Sequence, residues 1–122
     1  MPDCAAVLCE APMVIVNLID DITKENIIIK NNTTKESIII QNTSQNLVEF
    51  RINETNGYLY ANRNNSEDTF EIKIDSKPTA TISYKTAHPK TNECCDFGEL
   101  VDVAVDNKSF EIEGNKITIY LK

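Results

Sequence analysis

The sequence predicts an all-β domain, an antiparallel β-sandwich with little helix. Three observations lead there. Apolar and polar residues alternate with period two in several runs, which describes strands with one face buried and one face wet. The runs recur every 8 to 12 residues or so with turn residues between them, the spacing of a sandwich or barrel rather than of βαβ units. Sixteen of the 122 residues are Ile, and β-branched side chains fit a pleated surface better than a helix. No window sustains apolar residues at i, i+3, i+4 and i+7 over three turns.

In chain order, residues Met1 to Pro12 hold Cys4 and Cys9 with two prolines and little pattern, and read as a tether or strap. Residues 13–122 read as one sandwich domain, the only unit that a chain of this length accommodates. Ten strands are expected: Met13 to Asp20, Asn26 to Lys30, Ser37 to Gln41, Leu47 to Asn53, Gly57 to Ala61, Thr69 to Asp75, Thr79 to Thr86, Glu99 to Asp106, Ser109 to Glu113 and Lys116 to Leu121. Val48, Phe50 and Ile52 fall opposite Glu49, Arg51 and Asn53. Phe70, Ile72 and Ile74 fall opposite Glu71, Lys73 and Asp75, and Val101, Val103 and Val105 share a face against Asp102 and Asp106. Met13 to Asp20 and the triplets Ile27 to Ile29 and Ile38 to Ile40 are apolar on both faces, as in strands covered twice. Asn56-Gly57 matches a type I′ hairpin turn, and Gly114-Asn115 closes the last hairpin. The expected core is Val16, Leu18, Val48, Phe50, Ile52, Phe70, Ile72, Ile74, Ile82, Val101, Val103, Ile117 and Ile119.

Charge and composition remove whole classes of function. Twelve Lys and Arg stand against 19 Asp and Glu, a net charge of -7, and no basic run exists to neutralise a phosphate backbone, so no nucleic-acid partner is expected. No apolar run, Met13 to Val16 included, comes near the roughly 20 residues of a membrane-crossing helix. A membrane contact is expected only through a lipid anchor. With fourteen Asn and many Ile and Lys, the composition also matches an A+T-rich coding sequence, so the six glycosylation sequons carry little weight.

Cys4, Cys9, Cys94 and Cys95 are an even set, which suits two disulfides in an oxidising compartment. Four cysteines allow three connectivities. Neighbouring cysteines seldom bond each other, so the scheme that joins Cys4 and Cys9 to Cys94 and Cys95 is expected. Closing a loop of about 90 residues is worth on the order of 4 to 5 kcal/mol in the chain-entropy model. His88 with Cys94 and Cys95 lacks the spacer a tetrahedral zinc site requires, and His88 reads as an exposed loop residue. The carboxylates of Asp20-Asp21, Glu67-Asp68, Asp102 and Asp106 read as solvated turns, with no calcium loop among them. No catalytic residue, metal or cofactor is therefore expected, and the chain is read as no enzyme. Tyr58 and Tyr60 share one face of a short strand beside Arg63, and these three form the expected ligand surface for a protein or a glycan.

The order Cys-Ala-Ala-Val-Leu-Cys-Glu-Ala-Pro (Cys4 to Pro12), then Leu-Ile-Asp-Asp-Ile-Thr-Lys-Glu-Asn (Leu18 to Asn26), then Glu-Cys-Cys-Asp-Phe (Glu93 to Phe97) resembles small uncharacterised lipoproteins of Bacteroidetes. The resemblance implies an exported β-sandwich whose precursor has a signal peptide and a lipid-modified cysteine before the folded part. The stretch Val14 to Asn26 also looks like the first strand and turn of transthyretin-like, Ig-like sandwiches, in which Asp-x-x-Thr-Gly precedes the second strand; here Lys24 stands at the glycine position. The expectation is an extracytoplasmic, cell-envelope binding module. The alternative is a structural or assembly protein of the envelope whose partner covers an apolar face such as Ile27 to Ile29. A polar cleft near Tyr58 and Tyr60 would favour the first, a large exposed apolar patch the second.

Overall fold

A computed structural model describes residues 13–62, 67–87, 100–106 and 108–121. Nine strands form the two sheets of an all-β sandwich: β1 (Met13–Asp20), β2 (Ile38–Gln41), β3 (Phe50–Ile52), β4 (Leu59–Asn62), β5 (Glu67–Ile74), β6 (Lys77–Thr86), β7 (Leu100–Val105), β8 (Ser109–Glu113) and β9 (Lys116–Leu121). One sheet has the order β3-β4-β1-β9-β8 and the other β2-β5-β6-β7. All ladders are antiparallel except β1 with β9, which run parallel at the centre of the five-stranded sheet. That exception joins two antiparallel groups, β3-β4-β1 and β9-β8, side by side.

The core lies between the sheets. Val14, Val16 and Leu18 of β1, Leu59 and Ala61 of β4, and Ile117 and Ile119 of β9 face Ile38, Ile40, Phe70, Ile72, Ile82 and Tyr84 of the second sheet, all buried. The Phe70 and Tyr84 rings meet edge to face, centroids 5.2 Å apart. Of the expected core residues, Val16, Leu18, Val48, Phe70, Ile72, Ile82, Ile117 and Ile119 are buried, whereas Phe50, Ile52, Ile74 and Val103 pack half-buried against them.

Val101 is a correction: the residue is 37% exposed, and Leu100 points inward in its place. The cause is a bulge. Ser83 pairs with Ala104 but Lys85 pairs with Val101, so β7 has one residue more than β6 across this step, and Asp102 absorbs it at φ +50°. An extra residue reverses the facing of everything beyond it.

A second correction concerns Asn26 to Lys30. This segment is one turn of helix, α1 (Ile27–Lys30), not a strand. Asn26 is the N-cap: its side-chain oxygen accepts the Ile28 and Ile29 N–H groups at 2.9 and 3.1 Å. Three successive β-branched residues cost only a few tenths of a kcal/mol each in a helix, and the turn sends Ile28 into the core at 2% exposure while Ile29 stays 44% exposed. The expected strand Leu47 to Asn53 also shrinks to β3, because residues 47–48 belong to the other sheet. There Leu47 bridges Gln41, and the Val48 N–H donates to Ile40 at 2.8 Å.

Three hairpin turns show three solutions. Gly57 has φ +74° with no positive φ at Asn56, so the β3–β4 connection is not the expected type I′ turn but a four-residue loop closed by a Gly57 N–H bond to Asn53 at 2.7 Å. Gly114 has φ +60° while Asn115 does not, the type II′ pattern. Asp75 and Ser76 have φ +52° and +66°, a type I′ turn made without glycine.

Candidate functional site

The face of the five-stranded sheet that looks away from the core carries the tyrosines. Registers place Arg51 opposite Tyr60, Tyr60 opposite Ile15, Ile15 opposite Lys116 and Lys116 opposite Glu113, a single row across all five strands. Next to it, Asn17 pairs with Thr118, and Ile19 with Tyr120. Tyr58, Tyr60 and Tyr120 are all half-buried here. Each ring lies under a cation: Tyr58 under Lys116 at 5.3 Å, Tyr60 under Arg51 at 5.3 Å, and Tyr120 under Lys24 at 5.6 Å. Such contacts stabilise by about 0.5 to 1 kcal/mol at exposed sites. Burial pushes the Tyr120 hydroxyl pKa up, and the Glu111 carboxylate adds to the shift. Asn53 donates its amide N–H to the Tyr60 hydroxyl at 3.3 Å, which fixes the ring's outer end.

A polar cleft of about 540 Å³ opens beside Tyr60, at the sheet's β3 margin, walled by Met13, Lys35, Glu49, Phe50, Arg51, Tyr60 and Asn62. It straddles the strand. Arg51 stands over Tyr60 on the outer side, while Lys35 stands over the half-buried Phe50 ring at 5.4 Å on the other. Neither cation forms an ion pair with a carboxylate among the described residues, in contrast to Lys24, Lys30, Lys73 and Lys116, which reach Asp21, Asp20, Glu71 and Glu113. The cleft's described lining holds two cations, Lys35 and Arg51, against one carboxylate, Glu49, an excess of one positive charge in an acidic chain. A second cleft of about 670 Å³, on the outer face of the four-stranded sheet, is walled by Gln41, Thr69 and Thr81 among others, and its Lys73 is already paired with Glu71.

Of the expected surface residues, the structure brings Tyr58 and Tyr60 to one face, with Tyr60 at the cleft. Arg63 lies outside the described residues, as do Cys4, Cys9, Cys94, Cys95 and His88. The reasoning from sequence missed Lys35 and Arg51. Alternation puts Arg51 on the wet face of its strand, but only the register puts it beside Tyr60. Of the acidic residues expected in solvated turns, Asp21 and Asp106 lie in turns, whereas Asp20 ends β1, Glu67 and Asp68 open β5 and Asp102 lies within β7. Asp20 accepts the Ile22 and Thr23 N–H groups at 2.8 and 3.2 Å and the Lys30 ammonium at 3.0 Å, and these hold its carboxyl below the usual carboxylate range, the Ile22 N–H bond most of all. Among the described residues no three His, Cys, Asp or Glu side chains cluster as metal ligands would.

Comparison of the chain with models of protein families, with curated proteins and with solved structures finds no match in any of the three.

Proposed function

We propose that the chain is a binding module held outside the cytoplasm at a bacterial cell envelope by an N-terminal lipid in its native form, and that it recognises a protein or a glycan without catalysing a reaction. The observation that carries this reading is the polar cleft at Tyr60, with two ring-backed cations at its rim that have no ion-pair partner among the described residues. It is the feature that separates a binding module from an assembly subunit. The assembly reading expects an uncovered apolar face such as Ile27 to Ile29, and there the domain's own core covers Ile28 and leaves Ile29 exposed. The exposed large apolar side chains, such as Ile22 and Leu47, are dispersed over separate elements and turns.

Topology supports the oxidised, extracytoplasmic part of the reading. Met13 pairs with Asn62, Lys85 with Glu67, and Thr86 with Leu100. Only four residues join Asn62 to Glu67, so these ends of both sheets lie at the same end of the sandwich. The segments bearing Cys4 with Cys9 and Cys94 with Cys95 therefore depart from the same end of the sandwich, which suits two disulfides between them. The transthyretin-like reading is supported by Lys24, which takes φ +62° at the position where the family pattern has glycine.

Fractionation of the native host tests the proposal. The protein is expected in the envelope fraction, with thiols that resist alkylation until reduced. A cytosolic protein with four alkylatable thiols overturns the compartment, and turnover of a peptide or polysaccharide that is lost on replacing one carboxylate overturns the non-enzymatic reading.

A further inference from the structure

Four strands form the margins of the two sheets, and three of them are covered or guarded. The β2 margin is covered by residues 47–48 through the Val48 bond to Ile40, β7 is broken by the Asp102 bulge, and β8 carries Glu111 and Glu113. Such devices keep sheet edges from recruiting another strand. The β3 margin differs. The Asn62 N–H donates to Glu49 at 3.0 Å and the Asn53 N–H donates to Tyr58 at 2.9 Å, so residues 49, 51 and 53 turn their main-chain groups toward β4. Main-chain direction alternates along an antiparallel strand. Phe50 and Ile52 therefore aim their N–H and C=O groups off the open side of the sheet, and no described residue pairs with them. The cleft reaches this side at Glu49, Phe50 and Arg51.

We propose that the open edge of β3 is a docking site for an extended acidic peptide, which adds to the sheet as a further strand through Phe50 and Ile52 while its carboxylates reach Lys35 and Arg51. The inference rests on the binding-module reading and names the partner of that same cleft. Strand addition uses main-chain hydrogen bonds for affinity and alternate side chains for specificity. Successive side chains of an added strand point to opposite faces, and the two cations stand on opposite faces of β3, Lys35 against Phe50 and Arg51 against Tyr60. A peptide with acidic residues at neighbouring positions meets both. Both cations are exposed and without a carboxylate partner among the described residues, so binding breaks no existing ion pair. Glu49 also lines the cleft and repels a carboxylate placed beside it, which restricts the acidic positions to those facing Lys35 and Arg51.

The test is an NMR titration of the full chain with the capped peptide Thr-Val-Glu-Glu-Val-Thr, its Lys-Lys counterpart and an oligogalacturonate, at up to about 1 mM. The Glu-Glu peptide is expected to slow amide exchange at Phe50 and Ile52 about tenfold or more, and the Lys-Lys peptide to leave it unchanged. Lys35→Glu and Arg51→Glu are each expected to weaken binding about fivefold, the size of reversing one exposed charge contact. Ile52→Pro removes one outward N–H and is expected to abolish binding. If that variant does not fold, the two charge reversals on exposed side chains carry the test. Equal binding of both peptides overturns the proposal, as does binding by neither. Shifts at Tyr60 and Arg51 from oligogalacturonate, without protection of Phe50 and Ile52 by peptide, overturn strand addition and leave the binding module standing. Protection that grows with protein concentration in the absence of peptide overturns it in favour of a second copy of this chain.

Discussion

Gly57 and Asn26 occupy one space between them. The Asn26 amide N–H donates to the Gly57 carbonyl at 3.3 Å, and a Cβ at Gly57 would overlap the Asn26 side-chain oxygen and come within 2.9 Å of Ile29. The same amide donates at 2.8 Å to Asn17, the one buried polar residue among those described. Asn26 thus ties β1, α1 and the β3–β4 loop together with every polar atom of its side chain in use. That loop sets the register of β3 on β4, and through it the pairing of Arg51 with Tyr60.

Gly57→Ala is expected to destabilise the domain by about 2 to 3 kcal/mol, combining a left-handed alanine with loss of the cap. Asn26→Ala should cost a similar amount, because Asn17 is left with an unpaired buried amide. The double variant should lose clearly less than the sum, since both changes remove one arrangement. Urea denaturation of the three variants measures this, and strict additivity would contradict the coupling.

At the β5–β6 turn, Ser76→Gly creates an Asp-Gly pair where both central residues have positive φ. A gain of about 1 kcal/mol is expected from thermal unfolding. Lys24→Gly relieves the same kind of strain but removes the contact with Tyr120 and the ion pair with Asp21. Those losses, about 0.5 kcal/mol and a few tenths, should leave a gain near zero.

Acid should loosen the turn after β1. Asp20 titrates below its unfolded value, so its contribution is fully present above about pH 4 and is lost as pH falls through the lower folded value. Asp20→Asn should lower the midpoint of thermal unfolding at neutral pH and flatten its decline in acid. A wild-type decline in acid as steep as that of the variant would contradict the role of Asp20.

Oxidised protein should weigh less than reduced protein by the mass of four hydrogens, as two disulfides require. Peptide mapping should then join Cys4 and Cys9 to Cys94 and Cys95. A Cys94–Cys95 bond would contradict the expected pairing.

The strands with clean alternation or long apolar runs, β1, β5, β6 and β9, were legible because burial on one face imposes period two wherever the backbone is regular. Legibility ended where the backbone departs from that period. One αL residue at Asp102 exchanges Val101 for Leu100 in the core, and nothing in the side-chain pattern marks Asp102 as the place. Ile27 to Ile29 favours a strand by composition, yet the single capping side chain at Asn26 turns it into helix; an Asn ahead of an apolar run was the available signal. The tyrosine face was legible as Tyr58 and Tyr60 on one side of a strand. The cations that complete it come from other segments, and no local pattern states which strands become neighbours.

The proposed function depends most directly on ligands entering at Tyr60. A titration of isotope-labelled protein with carboxylate-bearing peptides and oligosaccharides, beside neutral ones of equal length, should shift the signals of Lys35, Arg51 and Tyr60 and leave those of Thr69 and Thr81 on the opposite sheet in place. Arg51→Glu should weaken the response while the fold persists. Shifts confined to the Thr69 and Thr81 cleft, or an undiminished response in Arg51→Glu, would contradict it.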